Sequence, residues 1–201
     1  MGLISTVEIL PDADNTLMQI FPTWNNGASV FNTVGSDTTG YARHALMRFK
    51  IPQFTGRIKE AHLRLYIHQF ADKEIAFMIV DSPQDDIWIE GNSSMTTDPE
   101  GSTWNEYAKD FPWAAAGGDF GDMPIAIKIF SASDPTGWYN IDLPLDNITF
   151  SAGKTISLIA IPAETLAVSN EFISWGSKER VSPDWRPRLI LTLDEGLEEY
   201  D

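Results

Sequence analysis

The side chains in this chain best equipped to do chemistry are carboxylates and aromatic rings. Acidic residues gather at Asp12-Ala13-Asp14-Asn15, across 81–90, and at Asp119-Phe120-Gly121-Asp122. Such clusters supply the hard oxygen ligands that calcium takes, although none follows the EF-hand loop pattern. Asp14, Asp119 and Asp122 are therefore the candidate ligands of a structural calcium, with the plainer alternative that loop aspartates bond to their own backbone in turns. The rings of Trp24, Trp88, Trp104, Tyr107, Trp113 and Trp138 fall at or beside breaks in the hydrophobic pattern. An exposed aromatic face holds the apolar face of a sugar ring, and Trp104, Tyr107, Trp113 and Trp138 are the candidates for that work. The competing reading is that they bury themselves and close one end of a core.

Catalytic constellations are missing. No Gly-x-Ser-x-Gly elbow, His-Glu-x-x-His helix or phosphate-cradling glycine loop occurs, and the chain has no Cys. The three histidines, His44, His62 and His68, sit within expected strands as ordinary outward residues with no partner at a telling spacing. A pair of glycosidase-type carboxylates draws on distant positions, so their abundance says nothing for or against one. The expectation is a protein that binds and does not catalyse, with calcium as the one cofactor the sequence suggests.

Charge narrows the partners. The formal charge of −15, from 29 acidic and 14 basic residues, repels a phosphate backbone and an anionic lipid surface alike. No run approaches the roughly 18 apolar residues of a membrane helix, and the first residues lack the basic and apolar segments of an export signal. Nucleic acid and membrane insertion are not expected. Protein subunits of a virion or cell surface, a polysaccharide, or further copies of the same chain remain the open partners.

The elements that must position these groups are strands. At 61–68, Ala61, Leu63, Leu65 and Ile67 alternate with His62, Arg64, Tyr66 and His68, which is the period of a half-buried strand. Comparable runs cover 6–10, 44–51, 74–80, 124–130, 138–143, 155–161, 171–175 and 187–193, separated by Asn-Gly, Ser-Pro, Asp-Pro and Gly-Gly breaks. No segment carries a capped helical stripe. The expected fold is an all-β antiparallel sandwich of jelly-roll type in one domain over 1–201, with an up-and-down barrel as the alternative. The stretch 91–123 is too long for a simple hairpin connection and reads either as the functional loop or as an excursion capping an open edge of the sandwich. The acidic stretch 194–201 reads as a solvated tail.

Several blocks in shared order resemble the DNRLRE-domain family of surface modules. They are Ala13-Asp14-Asn15-Thr16-Leu17, then Arg43 to Ile51, then Gly56 to Tyr66, with Ser102-Thr103-Trp104-Asn105, Gly117-Gly118-Asp119-Phe120, Gly137 to Leu143 and Arg186-Pro187-Arg188-Leu189 following. The six-letter run that names the family is absent, and Ala13-Asp14-Asn15 departs from its usual opening. The resemblance implies a jelly roll and a non-catalytic binding or scaffold role, in some relatives as alginate-type carbohydrate-binding modules. Arg48 and Arg64 alternate outward on their strands and are the basic candidates for meeting such a ligand, though outward Arg and Lys also serve to blunt strand edges. Two functions follow. The first expectation is a decoration, cement or fibre component on a phage virion surface; the alternative is an extracellular carbohydrate-binding module.

Overall fold

The computed structural model describes residues 3–37, 39–81, 84–98, 100–163 and 171–196. The strands in chain order begin with β1 (Ile4–Ile9), β2 (Ala13–Met18), β3 (Trp24–Asn25), β4 (Phe31–Ser36), β5 (Ala42–Lys50), β6 (Arg57–Gln69) and β7 (Lys73–Ile79). A single helical turn α1 (Gln84–Ile87) and the short strands β8 (Thr96–Thr97), β9 (Glu106–Ala108) and β10 (Phe111–Pro112) come next. The chain finishes with β11 (Ala126–Phe130), β12 (Gly137–Asp142), β13 (Thr155–Pro162), β14 (Glu171–Gly176) and β15 (Arg188–Asp194).

Eleven strands form one antiparallel sheet that curls over on itself. Its path runs β1-β15-β6-β14-β4-β5-β13-β7-β11, with β12 added to β6 and β2 to β5. Neighbours in this order are mostly distant in sequence, which is the connectivity of a jelly-roll-type sandwich and not of an up-and-down barrel. Period-two alternation explains the layering. Ala61, Leu63, Leu65 and Ile67 of β6 point inward, meeting Met47 and Phe49 of β5, Ile75 and Phe77 of β7, Leu158 of β13 and Leu189 and Leu191 of β15 in the main core. The side chains on the other side of β5 and of β6 therefore lie on opposite outer faces of the molecule.

One outer face is covered. Leu46 of β5, Ala76 and Met78 of β7 and Ile159 of β13 point away from the main core into a second cluster, whose roof is Trp88, Trp104 and Trp113. The stretch between β7 and β11 thus caps a sheet face, where the sequence suggested either a functional loop or the cap of an edge. Two features hold it down. Asn25 donates to the Glu90 and Ser102 carbonyls and accepts from the Gly27 and Ser93 amides. Asn15 reaches Ser102, while Asn26 bonds the Thr16 carbonyl and the Met95 amide. These buried amides satisfy backbone groups that a water-excluded loop would otherwise leave unpaired. The second feature is Gly117-Gly118, whose φ angles of 98° and 114° belong to glycine. A Cβ there would stand 2.8 Å from the Trp104 ring and 2.8 Å from the Ile159 methyl, respectively.

Polar residues of β2 are buried in the same region. Asp14 accepts the Lys178 amide at 2.6 Å, and its own amide donates to Glu90 Oε1 at 2.7 Å. Burial, with the Glu90 carboxylate nearby, pushes the Asp14 carboxyl up to about 7 against the opposing pull of the Lys178 amide. His44 lies under the roof, its Nδ1 2.8 Å from the Gly117 carbonyl and its ring 4.8 Å from that of Trp104, and burial lowers its pKa to about 4. It is no outward surface histidine. At the chain's end Asp194, read as the start of a solvated tail, belongs to β15 and pairs with Lys59 at 3.0 Å, and 197–201 lie outside the described residues.

Candidate functional site

The opposite outer face carries no such roof among the described residues. It is formed by the outward side chains of β6, flanked by β12 and β15. Antiparallel register sets Arg64 of β6 opposite Asn140 of β12 and Arg188 of β15, and sets Tyr66 opposite Trp138. All of the rings and guanidiniums gathered there are half-buried. Arg64 and Arg188 place their guanidinium carbons over the Trp138 ring at 4.9 and 5.4 Å, and Tyr66 meets that ring edge-on at 5.4 Å.

The connection from β14 to β15 extends this face. It folds through a 3-10 turn at Pro183–Trp185 and lays Trp185 on Tyr66, centroids 5.2 Å apart and planes 15° from parallel. Arg180 of the same connection lies over both Phe31 and Trp185, at 4.5 and 4.8 Å. His68 is wedged among Phe31, Tyr66 and Trp185, where burial first and the Arg180 charge second lower its pKa, keeping the imidazole neutral at neutral pH. The connection is tied to the body of the sandwich by Asp14, through the Lys178 amide, and by Ser177, whose Oγ donates to the Ser29 carbonyl at 2.5 Å.

Electrostatically the face is unlike the rest of this acidic chain. Arg64 and Arg180 form no ion pair among the described residues, and Arg188 has one, with Glu8 of β1 at 2.6 Å. The Nε atoms of Arg64 and Arg188 and Nε2 of His68 are sealed from solvent with no hydrogen-bond partner among the described residues. Those sealed nitrogens are out of a ligand's reach, but the terminal nitrogens of a guanidinium match a carboxylate or sulfate with two parallel hydrogen bonds. A concavity of about 540 Å³ lined by Ile51, Ile79 and residues of the 146–156 stretch shares no residue with this face.

Of the residues singled out from sequence, the structure brings Arg64 and Trp138 together here. It does not bring in the others. Trp104 and Trp113 are buried in the roof, with Trp113 Nε1 donating to the Thr103 carbonyl, so neither ring is free to meet a sugar. Tyr107 packs against Trp113 and Phe111 on that same covered side. Arg48 also serves the roof. It forks onto Asp12 at 3.0 Å, lies 5.1 Å from the Trp88 ring and donates to the Trp88 carbonyl, and with Lys50 it holds Asp12 below the usual carboxylate range despite the opposing effect of burial.

The three calcium candidates are likewise dispersed in role. Asp14 is the buried clasp described above, Asp119 accepts the Ala114 and Ala115 amides at 2.8 and 2.7 Å, and Asp122 is exposed. No group of three or more His, Cys, Asp or Glu is placed to hold a metal among the described residues. Asp119 thus follows the plainer reading of a loop aspartate satisfying its own backbone.

Tyr66 and His68 were legible in the alternation of 61–68, which sets them on the side of Arg64. Arg180, Trp185 and Arg188 were not singled out, because a non-periodic connection and a strand far along the chain bring them in.

The sequence model of carbohydrate-binding module family 96 matches residues 5–109, just over half of the chain. The chain belongs to that family. The match meets the sequence resemblance at the level of a carbohydrate-binding, jelly-roll-type module, without extending to the DNRLRE family as such. It supports the alternative of a carbohydrate module and gives none to a virion component. No curated protein matches the chain. Within this family 96 module the matched segment holds Phe31, Arg64, Tyr66 and His68 of the face, whereas Trp138, Arg180, Trp185 and Arg188 lie beyond it.

Proposed function

We propose that this family 96 module binds an extended polysaccharide bearing carboxylate or sulfate groups along the open face of β6, β12 and β15. One observation carries the reading. In a chain of charge −15, Arg64 and Arg180 stand without an acidic partner among the described residues, on a face that also holds Arg188 and aromatic rings. Arginines left without an acidic partner in so acidic a chain form a local positive field that attracts and orients a ligand anion. An open face, in place of a closed pocket, fits a chain-like ligand that enters and leaves at both ends.

Calorimetry against polygalacturonate, a sulfated galactan and neutral dextran tests this. The expected result is binding to one or both anionic polymers and weak or no binding to dextran, with Arg64→Ala and Arg180→Ala each lowering affinity and added salt weakening it. Equal binding to all three polymers, or affinity untouched by both substitutions, would refute the assignment of this face.

A further inference from the structure

Resting on that reading, we infer that Trp138 does not stack on the glycan but is a positioning residue, which clamps Arg64 and Arg188 so that their outer guanidinium nitrogens face the ligand's anions. Trp138 is on β12 and Arg188 on β15, both paired with β6, and one ring engages guanidiniums from two different strands, Arg64 at 4.9 Å and Arg188 at 5.4 Å. A cation over an indole face is held by the ring quadrupole, and tryptophan is the strongest side chain for this. The Nε atoms of both arginines are shut off from solvent and have no acceptor among the described residues, so what a ligand can meet is the terminal edge of each guanidinium. On Arg188 that edge is shared with Glu8, which takes Nη1 at 2.6 Å.

The other rings of the face are engaged in the same manner. Trp185 is stacked on Tyr66 and lies beneath Arg180, and Phe31 lies beneath Arg180 as well. The aromatic content of the face therefore fixes cations in place. A long, flexible arginine loses several rotors on binding an anion, and a ring that has already immobilised it removes much of that cost. Recognition on this face is led by charge, with the rings acting through the arginines.

A double-mutant cycle separates this from direct stacking. Trp138→Leu is expected to lower affinity for polygalacturonate by tenfold or more, and Trp138→Phe, which keeps a ring face, to recover most of the loss. On an Arg64→Ala, Arg188→Ala background, Trp138→Leu is expected to change affinity by less than twofold. A loss on that background as large as in the unmutated module would overturn the inference, because Trp138 would then be touching the ligand itself.

A readout without ligand keeps the inference apart from the glycan reading. In the free module the Arg64 and Arg188 Nε–H nuclear magnetic resonance signals should be displaced by the indole ring current and protected from exchange. Both signatures should collapse in Trp138→Leu while the amide spectrum of the core is retained. Signals without ring displacement in the unmutated module would overturn the clamp. Displaced signals together with no binding to either polygalacturonate or the sulfated galactan would overturn the glycan reading and leave the clamp standing.

Discussion

Two titrating groups, the buried Asp14 and the half-buried His44, give the fold a pH dependence whose shape can be worked out before it is measured. Asp14 has its pKa raised from 3.8 to about 7, so the folded state holds a proton that the unfolded chain has released. Its contribution to stability is complete below the unfolded value and is lost as pH rises to about 7. A shift of about three units corresponds to roughly 4 kcal/mol. His44 is lowered from 6.5 to about 4, so here the unfolded chain binds the extra proton, and the contribution is complete above 6.5 and lost as pH falls to about 4. Its shift of about 2.5 units corresponds to roughly 3 kcal/mol. Between about pH 4 and 6.5 the two slopes have opposite sign and nearly cancel. Asp14→Asn removes one of them, so the variant should gain about 2.5 kcal/mol of stability from pH 4.5 to 6.5 relative to the unmutated module. His44→Gln removes the other, so that variant should lose a similar amount across the same range. Urea unfolding followed by tryptophan fluorescence at several pH values measures both, and comparison with the unmutated module cancels the paired surface carboxylates common to all three proteins. If the Asp14→Asn profile runs parallel to that of the unmutated module, the clasp between β2 and the Lys178 amide does not hold a shifted carboxyl and the reasoning fails.

Removing the Trp88 side chain should be among the most damaging changes to the roof. Its indole is almost fully buried, donates to Ser157 Oγ at 2.9 Å and supports Arg48, so Trp88→Ala should cost about 3–5 kcal/mol in denaturant unfolding. Asp119→Asn should lower the melting temperature by the same amount in added calcium and in chelator, since the carboxylate is spent on the Ala114 and Ala115 amides; a loss seen only with calcium present would support the metal reading instead. Glu8→Ala should raise affinity for polygalacturonate several-fold by freeing Arg188 of its ion pair with Glu8, and unchanged or weaker binding in calorimetry would show that Arg188 lies outside the ligand's reach.

How much of this was legible in the sequence depends on what alternation can and cannot report. Period two says which side of its own strand a residue takes, and on β6 it set Arg64, Tyr66 and His68 on the side away from Leu63 and Leu65, where they are found. It does not say which layer a strand joins. Arg48 and Arg64 both alternate outward, yet β5 and β6 face each other across the main core, so the two arginines end on opposite outer faces. A clue to the covered face was present in His44-Ala45-Leu46-Met47, where apolar residues occupy both parities, the mark of a strand buried on two sides. The run Asp14-Asn15-Thr16 gave no such clue. Its polar side chains are buried because the Lys178 amide meets Asp14 and Ser102 meets Asn15 from far along the chain, while Thr16 accepts the Thr33 amide.

The same limit governs the aromatic residues. Composition and loop position made Trp104, Trp113 and Trp138 equivalent candidates for meeting a sugar, but a ring's use is decided by what occupies its faces in the fold. For Trp104 and Trp113 the occupants are core residues and backbone. For Trp138 they are two guanidiniums delivered by β6 and β15. An aromatic residue near a ligand is therefore evidence of stacking only after its neighbours have been counted. On this face the neighbours are cations, and the charge they carry is what the ligand has to answer.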